Sequence, residues 1–402
     1  MSDPPQPFGP FGGFDLNQML RFLQAGGPVH WQVAGQVAQW VAGSGTGMPG
    51  LPGLPGFPGL EPPAPGEPPP VVGPAERTRL AEVATAAEAH VLADTGQPPP
   101  GPPLEALDRA QWAERGLTQL KPVLERLAVT LQGDAAVPED MPPEMNPLAG
   151  MMGALGPLLL GVQCGFMVGQ LAQGLLSQHD FLLPVADPTP PAVIVPNLEA
   201  FHAAWSIPPD DLRFHLALSE SVRSRICSRG WVRARLVRLA NEYVGSFHVD
   251  PDALQAQLGG LDLTDPSSLE GLLGNPDAML GAMTSPAQQA ILDRLQLTTA
   301  VLESYADRVV DRLAAPMVPT VGVIREARRR HRLERSEADR FVQRLLGLDP
   351  SGRTHDTAAA FCAGVEERVG AGGLEPLLAG EEFLPTASEL EAPGLWLARL
   401  EL

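Results

Sequence analysis

Ser219, Glu220 and Arg223 stand at a spacing that can do chemistry. In a helix, residues four apart share a face, so Ser219 and Arg223 point the same way with a carboxylate beside the first. The pattern His-Glu-x-x-His uses this spacing to let two imidazoles grip a zinc ion while the glutamate acts as general base. Here the imidazole positions hold a hydroxyl, which is a poor zinc ligand, and a guanidinium, which is permanently cationic and has no lone pair to donate. Glu220 keeps the position of the base. Ser219 invites a second reading as a nucleophile, but the chain has no Gly-x-Ser-x-Gly elbow and no evident histidine base around it, so it reads as a small polar replacement. His215 lies one turn earlier, and His202 and His248 lie in flanking segments. None makes a histidine pair at helical spacing, so a relocated zinc site is not expected.

These residues need a helix to position them, and the sequence supplies one. Pro208-Pro209 followed by Asp210 and Asp211 is a helix start, with carboxylates in the turn where the dipole favours them. The helix should end near Gly230. Its apolar residues Leu212, Leu216, Leu218, Val222 and Ile226 spread round the circumference, which places it deep in the fold. A second helix, 286–313, carries Ile291, Leu295, Thr298, Leu302, Tyr305, Val309 and Leu313 at spacings of three and four, with Glu303 on the border of that stripe. Further helices are expected over 16–23, 30–41, 74–93 and 104–131, and a charged helical pair from 325 through 344 and onward. The strand signals are Phe181-Leu-Leu-Pro and Ala192-Val-Ile-Val-Pro.

The segment 145–179 is apolar over a length that could span a membrane. Gln163, Gln170, Gln173 and Gln178, together with Pro157, argue for a buried helix instead, so no stable membrane insertion is expected. Gly161, Gly165 and Gly169 recur every four residues and make a smooth stripe for close packing of another helix.

Composition divides the chain. Its 44 prolines and 42 glycines crowd into the first part, where GTGMPGLPGLPGFPGLEPPAPGEPPP cannot sustain a helix or a ladder. Residues 1–73 are therefore expected to be a disordered Pro/Gly-rich tail. A net charge of −19 opposes nonspecific binding to nucleic acid or anionic lipid. The arginines at 325, 328, 329, 330, 332 and 335 are interleaved with Glu326, Glu334, Glu337 and Asp339, the pattern of a solvated helix laced with ion pairs, and no nucleic-acid partner is expected. Three widely spaced cysteines, Cys164, Cys227 and Cys362, support neither a disulfide framework nor a cysteine zinc site. The start lacks a basic region followed by an apolar one, so a cytoplasmic protein is expected.

Fragments in order along roughly 155–399 resemble the zincin-like bacterial hydrolases known as zinc-dependent metalloproteases. They include Asp180-Phe-Leu-Leu-Pro, Val195-Pro-Asn-Leu, Asp211-Leu-Arg, Trp231-Val-Arg, Val301-Leu-Glu-Ser-Tyr-Ala-Asp-Arg, Leu345-Leu-Gly-Leu-Asp and Trp396-Leu-Ala-Arg. The resemblance implies a mainly α fold with a small β element, a zincin-like metallopeptidase fold behind the disordered segment. The domain is expected over 74–402, with a helical N-terminal part at 74–131 and the family core at 150–402. The family's active helix carries Leu-His-Glu-x-x-His, and a later Glu-Gly-Tyr-like motif supplies a third ligand. Carried over, the ligand positions become Ser219, Arg223 and Glu303, and the base becomes Glu220.

No metal is expected at these positions, although active relatives use zinc. The reading is a degraded zinc site in a pseudo-metallopeptidase that binds a peptide or protein partner or regulates an active relative. The alternative is an active metallohydrolase with an unconventional site built on Glu220, Glu303 and His215. The helices bearing Ser219 and Glu303 should pack together, and the Arg223 guanidinium is expected to stand in for the metal by pairing with Glu303 and with Glu220.

Overall fold

Helix accounts for nearly every element of the structure, a computed structural model that describes residues 27–44, 71–134, 146–185, 187–247, 286–333 and 352–401. In chain order these are α1 (Trp31–Ser44), α2 (Pro74–Thr95), β1 (Glu105–Leu107), α3 (Arg109–Asp134), α4 (Asn146–Gly174), β2 (Ala192–Ile194), α5 (Val195–Trp205), α6 (Pro209–Cys227), α7 (Gly230–Gly245), α8 (Pro286–Ala314), α9 (Val321–Leu333), α10 (Gly352–Val369), α11 (Ala387–Glu391) and α12 (Pro393–Leu400). Two 3-10 turns, Ala371–Leu378 and Glu381–Phe383, lie between α10 and α11.

α6 is the axis of the domain. Pro209 fills its first turn and Asp210 and Asp211 follow, as the sequence suggests, and nearly every side chain from Leu212 to Ile226 is buried. α2, α8, α5 and α9 pack around it, and a core that includes Leu216, Val222, Val301, Leu302, Phe361 and Trp396 closes over it. A second core, built on Trp112, Leu120, Leu124, Val168 and Leu171, joins α3 to α4.

α1 is the helix expected over 30–41, and it corrects the tail expected over 1–73 at that segment. It buries Val33, Ala34, Val37, Ala38, Val41 and Ala42. Its seat is the glycine stripe of α4: a Cβ added at Gly161 would lie 2.6 Å from the His30 carbonyl oxygen, one at Gly165 2.8 Å from Val37 Cβ, and one at Gly169 2.8 Å from Val41 Cγ1. The small residues of both helices let their backbones approach, and the area buried offsets the entropy of ordering α1. The helix expected at 16–23, the Pro/Gly run and the charged segment after 333 lie outside the described residues. Among those described, no helix is long and apolar enough to cross a membrane.

The strand reading needs a second correction. β2 forms at Ala192–Ile194, but its parallel partner is β1, with Glu105 opposite Ala192 and Leu107 opposite Ile194. The expected 104–131 helix therefore starts only at Arg109. Phe181 to Pro184 forms no strand. The chain before it does reach β2, where Gln178 N donates to Ala192 O and Ile194 N donates to Leu176 O. Leu182 N is drawn elsewhere, to the carboxylate of Glu303.

Candidate functional site

The loop 176–183, the inner face of α6 and facing residues of α8 and α9 meet in a buried, highly charged centre. Glu220 is fully buried. Its Oε1 accepts from His179 N at 2.9 Å, and its Oε2 accepts from Ala192 N at 3.2 Å and lies 2.9 Å from His179 Nδ1. A carboxylate can only accept, so Nδ1 carries the proton of that last bond. Both oxygens are thus committed to the loop and β2, and Glu220 serves here as a tie between α6 and those segments.

Arg223 is also fully buried. Its Nη1 donates to the carbonyl oxygens of His179 and Asp180, each at 3.0 Å, and its Nη2 donates to Asp307 Oδ1 at 2.6 Å. Burial alone would lower its pKa, but Asp307, Glu303 and Asp180 outweigh that and hold it above the ordinary arginine value. Burial would likewise raise the Asp307 carboxyl, yet Arg223, Arg332 and Arg328 keep it well below the usual carboxylate range. Charge-assisted bonds of this kind are short and strong.

Ser219 Oγ accepts from Arg328 Nη1 at 3.4 Å, and Arg328 Nη2 donates to Asp180 Oδ1 at 2.7 Å. Asp180 is fastened in turn by Leu176 N, 3.0 Å from its Oδ2. Glu303 accepts from Leu182 N at 3.3 Å, while Arg332 Nη1 and His355 Nδ1 stand 3.9 and 4.0 Å from its Oε2. His215 is buried with no partner at Nδ1. Burial and Arg328 push its imidazole down, Asp307 opposes them and Arg223 adds to them, leaving the pKa at about 3.

The structure therefore brings Ser219, Glu220, Arg223 and Glu303 into one neighbourhood, with α6 packed on α8. It corrects the pairing expected there. The carboxylate of Arg223 is Asp307, one turn beyond Glu303, and Glu220 is taken by His179 instead. Reading along the chain missed Asp180, His179, Asp307, His355, Arg328 and Arg332. Asp307 follows Glu303 by four residues, a signal of a shared helical face. Arg328 and Arg332 are four apart as well, and this face turns inward, whereas Arg329 and Arg330 pair with Glu326 on the solvated side. The basic run is thus solvated on one face only.

The donor set does not suit a zinc ion. Arg223 places a permanent cation in the centre, Ser219 accepts from a second guanidinium, and a buried atom left without a partner is Arg223 Nε, an N–H donor with nothing to offer a metal. Among the described residues no three histidine, cysteine, aspartate or glutamate side chains are grouped to hold a metal. The set Glu220, Glu303 and His215 is not assembled as one site. His202 is engaged elsewhere, 2.8 Å from Glu199, and His248 lies outside the described residues. The three cysteines are free thiols.

Comparison with known proteins agrees with the fold. The profile of the zincin-like metallopeptidases matches residues 63–397, beginning well before the 150–402 core expected from sequence. A solved structure from Chloroflexus aurantiacus, described as a candidate hydrolase with a novel fold, superposes with a TM-score of 0.59 over 93% of this chain and 99% of that one, at 20% identity. No curated protein matches the chain.

Proposed function

The chain belongs to the zincin-like metallopeptidase family, and we propose that it is a pseudo-metallopeptidase in which arginine has taken over the metal's structural task, leaving a scaffold that binds or regulates a peptide or protein. Catalytic zinc takes three protein ligands and a water, and it works by polarising a carbonyl and lowering the water's pKa. The observation that carries the proposal is the environment of Arg223. Arg223, which we read as standing at the second histidine of the motif, is a fully buried guanidinium satisfied by Asp307 and two main-chain carbonyls. A cation there organises the same loop and helices that a metal would, but it offers no Lewis acid and no open coordination position.

Glu220 supports the same reading, because a base must be free to reach its proton, and both of its oxygens already accept hydrogen bonds. A peptide or protein partner fits this scaffold better than nucleic acid, given the net charge of −19 and the inward turn of Arg328. Free, mostly buried thiols suit a cytoplasmic location. The test is hydrolysis of a broad fluorogenic peptide library by untagged protein with and without added zinc. The expected result is no turnover above buffer. Zinc-dependent turnover abolished by Glu220→Gln would overturn the proposal.

A further inference from the structure

On the other side of α6 and α8, away from the charged centre, lies a cavity of about 500 Å³ that nothing above uses. Its size is within the range of small-molecule sites. Val222 and Ile226 of α6, Val309 of α8 and Leu374 of the first 3-10 turn give it apolar walls.

The charges on its lining sort into closed pairs and open groups. Arg225 is paired with Glu88, Arg312 Nη2 donates to Asp94 Oδ2 at 2.7 Å, and Glu366 is held by Arg308. Arg229 is different. Among the described residues its Nη2 reaches only the neutral amide oxygen of Gln97, at 3.3 Å, and its Nε is buried without a partner. A buried donor left unsatisfied is costly, and a guanidinium with no carboxylate partner favours one that a ligand brings. Glu375 is exposed and forms no ion pair among the described residues, so it contributes an open negative charge to the same lining. The Tyr305 phenol lies within the electrostatic reach of both Arg229 and Glu375.

We infer that this cavity is a binding site for a small zwitterion with an apolar body, an apolar amino acid or a short unmodified peptide. Its carboxylate would sit on Arg229, its ammonium toward Glu375 and its side chain among Val222, Ile226 and Leu374. The inference is independent of the metal question, since Arg223 and Glu303 face away from this cavity.

Titration calorimetry of the full chain with leucine, leucyl-leucine and leucinamide tests it. Leucine or leucyl-leucine should bind, and leucinamide, which lacks the carboxylate, should bind at least about tenfold more weakly, as expected for losing a charged hydrogen-bond partner. Tighter binding of leucyl-leucine assigns the site to peptides, and equal or tighter binding of leucine assigns it to the free amino acid. Arg229→Gln should weaken binding at least about tenfold and Glu375→Gln by a smaller factor, since the exposed charge is partly screened. Absence of binding at millimolar concentration, equal affinity for leucinamide, or an affinity that neither substitution changes would each overturn the inference. The leucinamide comparison uses the native chain, so it stands even if Arg229→Gln fails to fold.

Discussion

The α1–α4 seam and the charged centre around α6 solve the same problem, close approach of helices, by opposite means. At the seam the sequence removes side chains, so that Gly161, Gly165 and Gly169 let the backbone of α1 come within contact distance. At the centre the sequence keeps large charged groups and matches them, Arg223 to Asp307, Arg328 to Asp180 and Glu220 to His179. The seam depends on shape, so it should be nearly indifferent to pH. The centre depends on charge balance, and each member there is costly to remove alone.

Three experiments sharpen this contrast. Arg223→Ala should have the largest effect, about 3–5 kcal/mol by chemical denaturation, because it leaves Asp307 and two carbonyls without their donor. Asp307 keeps 31% of its side chain exposed, which favours the lower end of that range. An unchanged denaturation midpoint would show that solvent already satisfies the site. Gly165→Leu should cost about 1–3 kcal/mol through overpacking against Ala34 and Val37, and the loss should be the same at pH 5 and pH 8. A loss that varies with pH would undo the distinction between the two regions.

The smallest effect under mild conditions comes from His215. An unfolded histidine takes up its proton near pH 6.5, whereas in the fold it does so only at about 3. The unfolded state therefore binds more protons in that window, so the contribution is complete above pH 6.5 and is lost as pH falls towards 3. One unit below 6.5 the loss is about 1 kcal/mol. A stability profile for His215→Gln should lack this slope between pH 6.5 and 5. An identical slope in the variant would place the sensitivity elsewhere.

Local pattern carried much of this architecture. The glycine period of α4, the Pro208-Pro209-Asp210-Asp211 start of α6 and the Ser219-to-Arg223 spacing are each readable within a few turns of chain, and the structure places all three as read. What stayed hidden depends on contacts between distant segments. Asp180 looks like an ordinary loop acid until Arg328, 148 residues away, reaches it. β1 is only three residues long and pairs across 87 residues of chain, too short for alternation to show. The helix at 30–41 was legible as a local pattern, but composition averaged over 1–73 placed it in a tail, because the face it buries shows only against its partner α4. Arg328 and Arg332 were masked by neighbours of both signs, because the face they occupy shows only once α9 is docked.

The central claim is that a guanidinium cluster occupies the position proposed for the family's metal. It is tested most directly by elemental analysis of the full-length chain purified without a histidine tag, equilibrated with excess zinc and then desalted. The account predicts substoichiometric zinc, with no increase on raising the zinc concentration. One tightly held zinc per chain, displaced by Glu303→Ala, would contradict it.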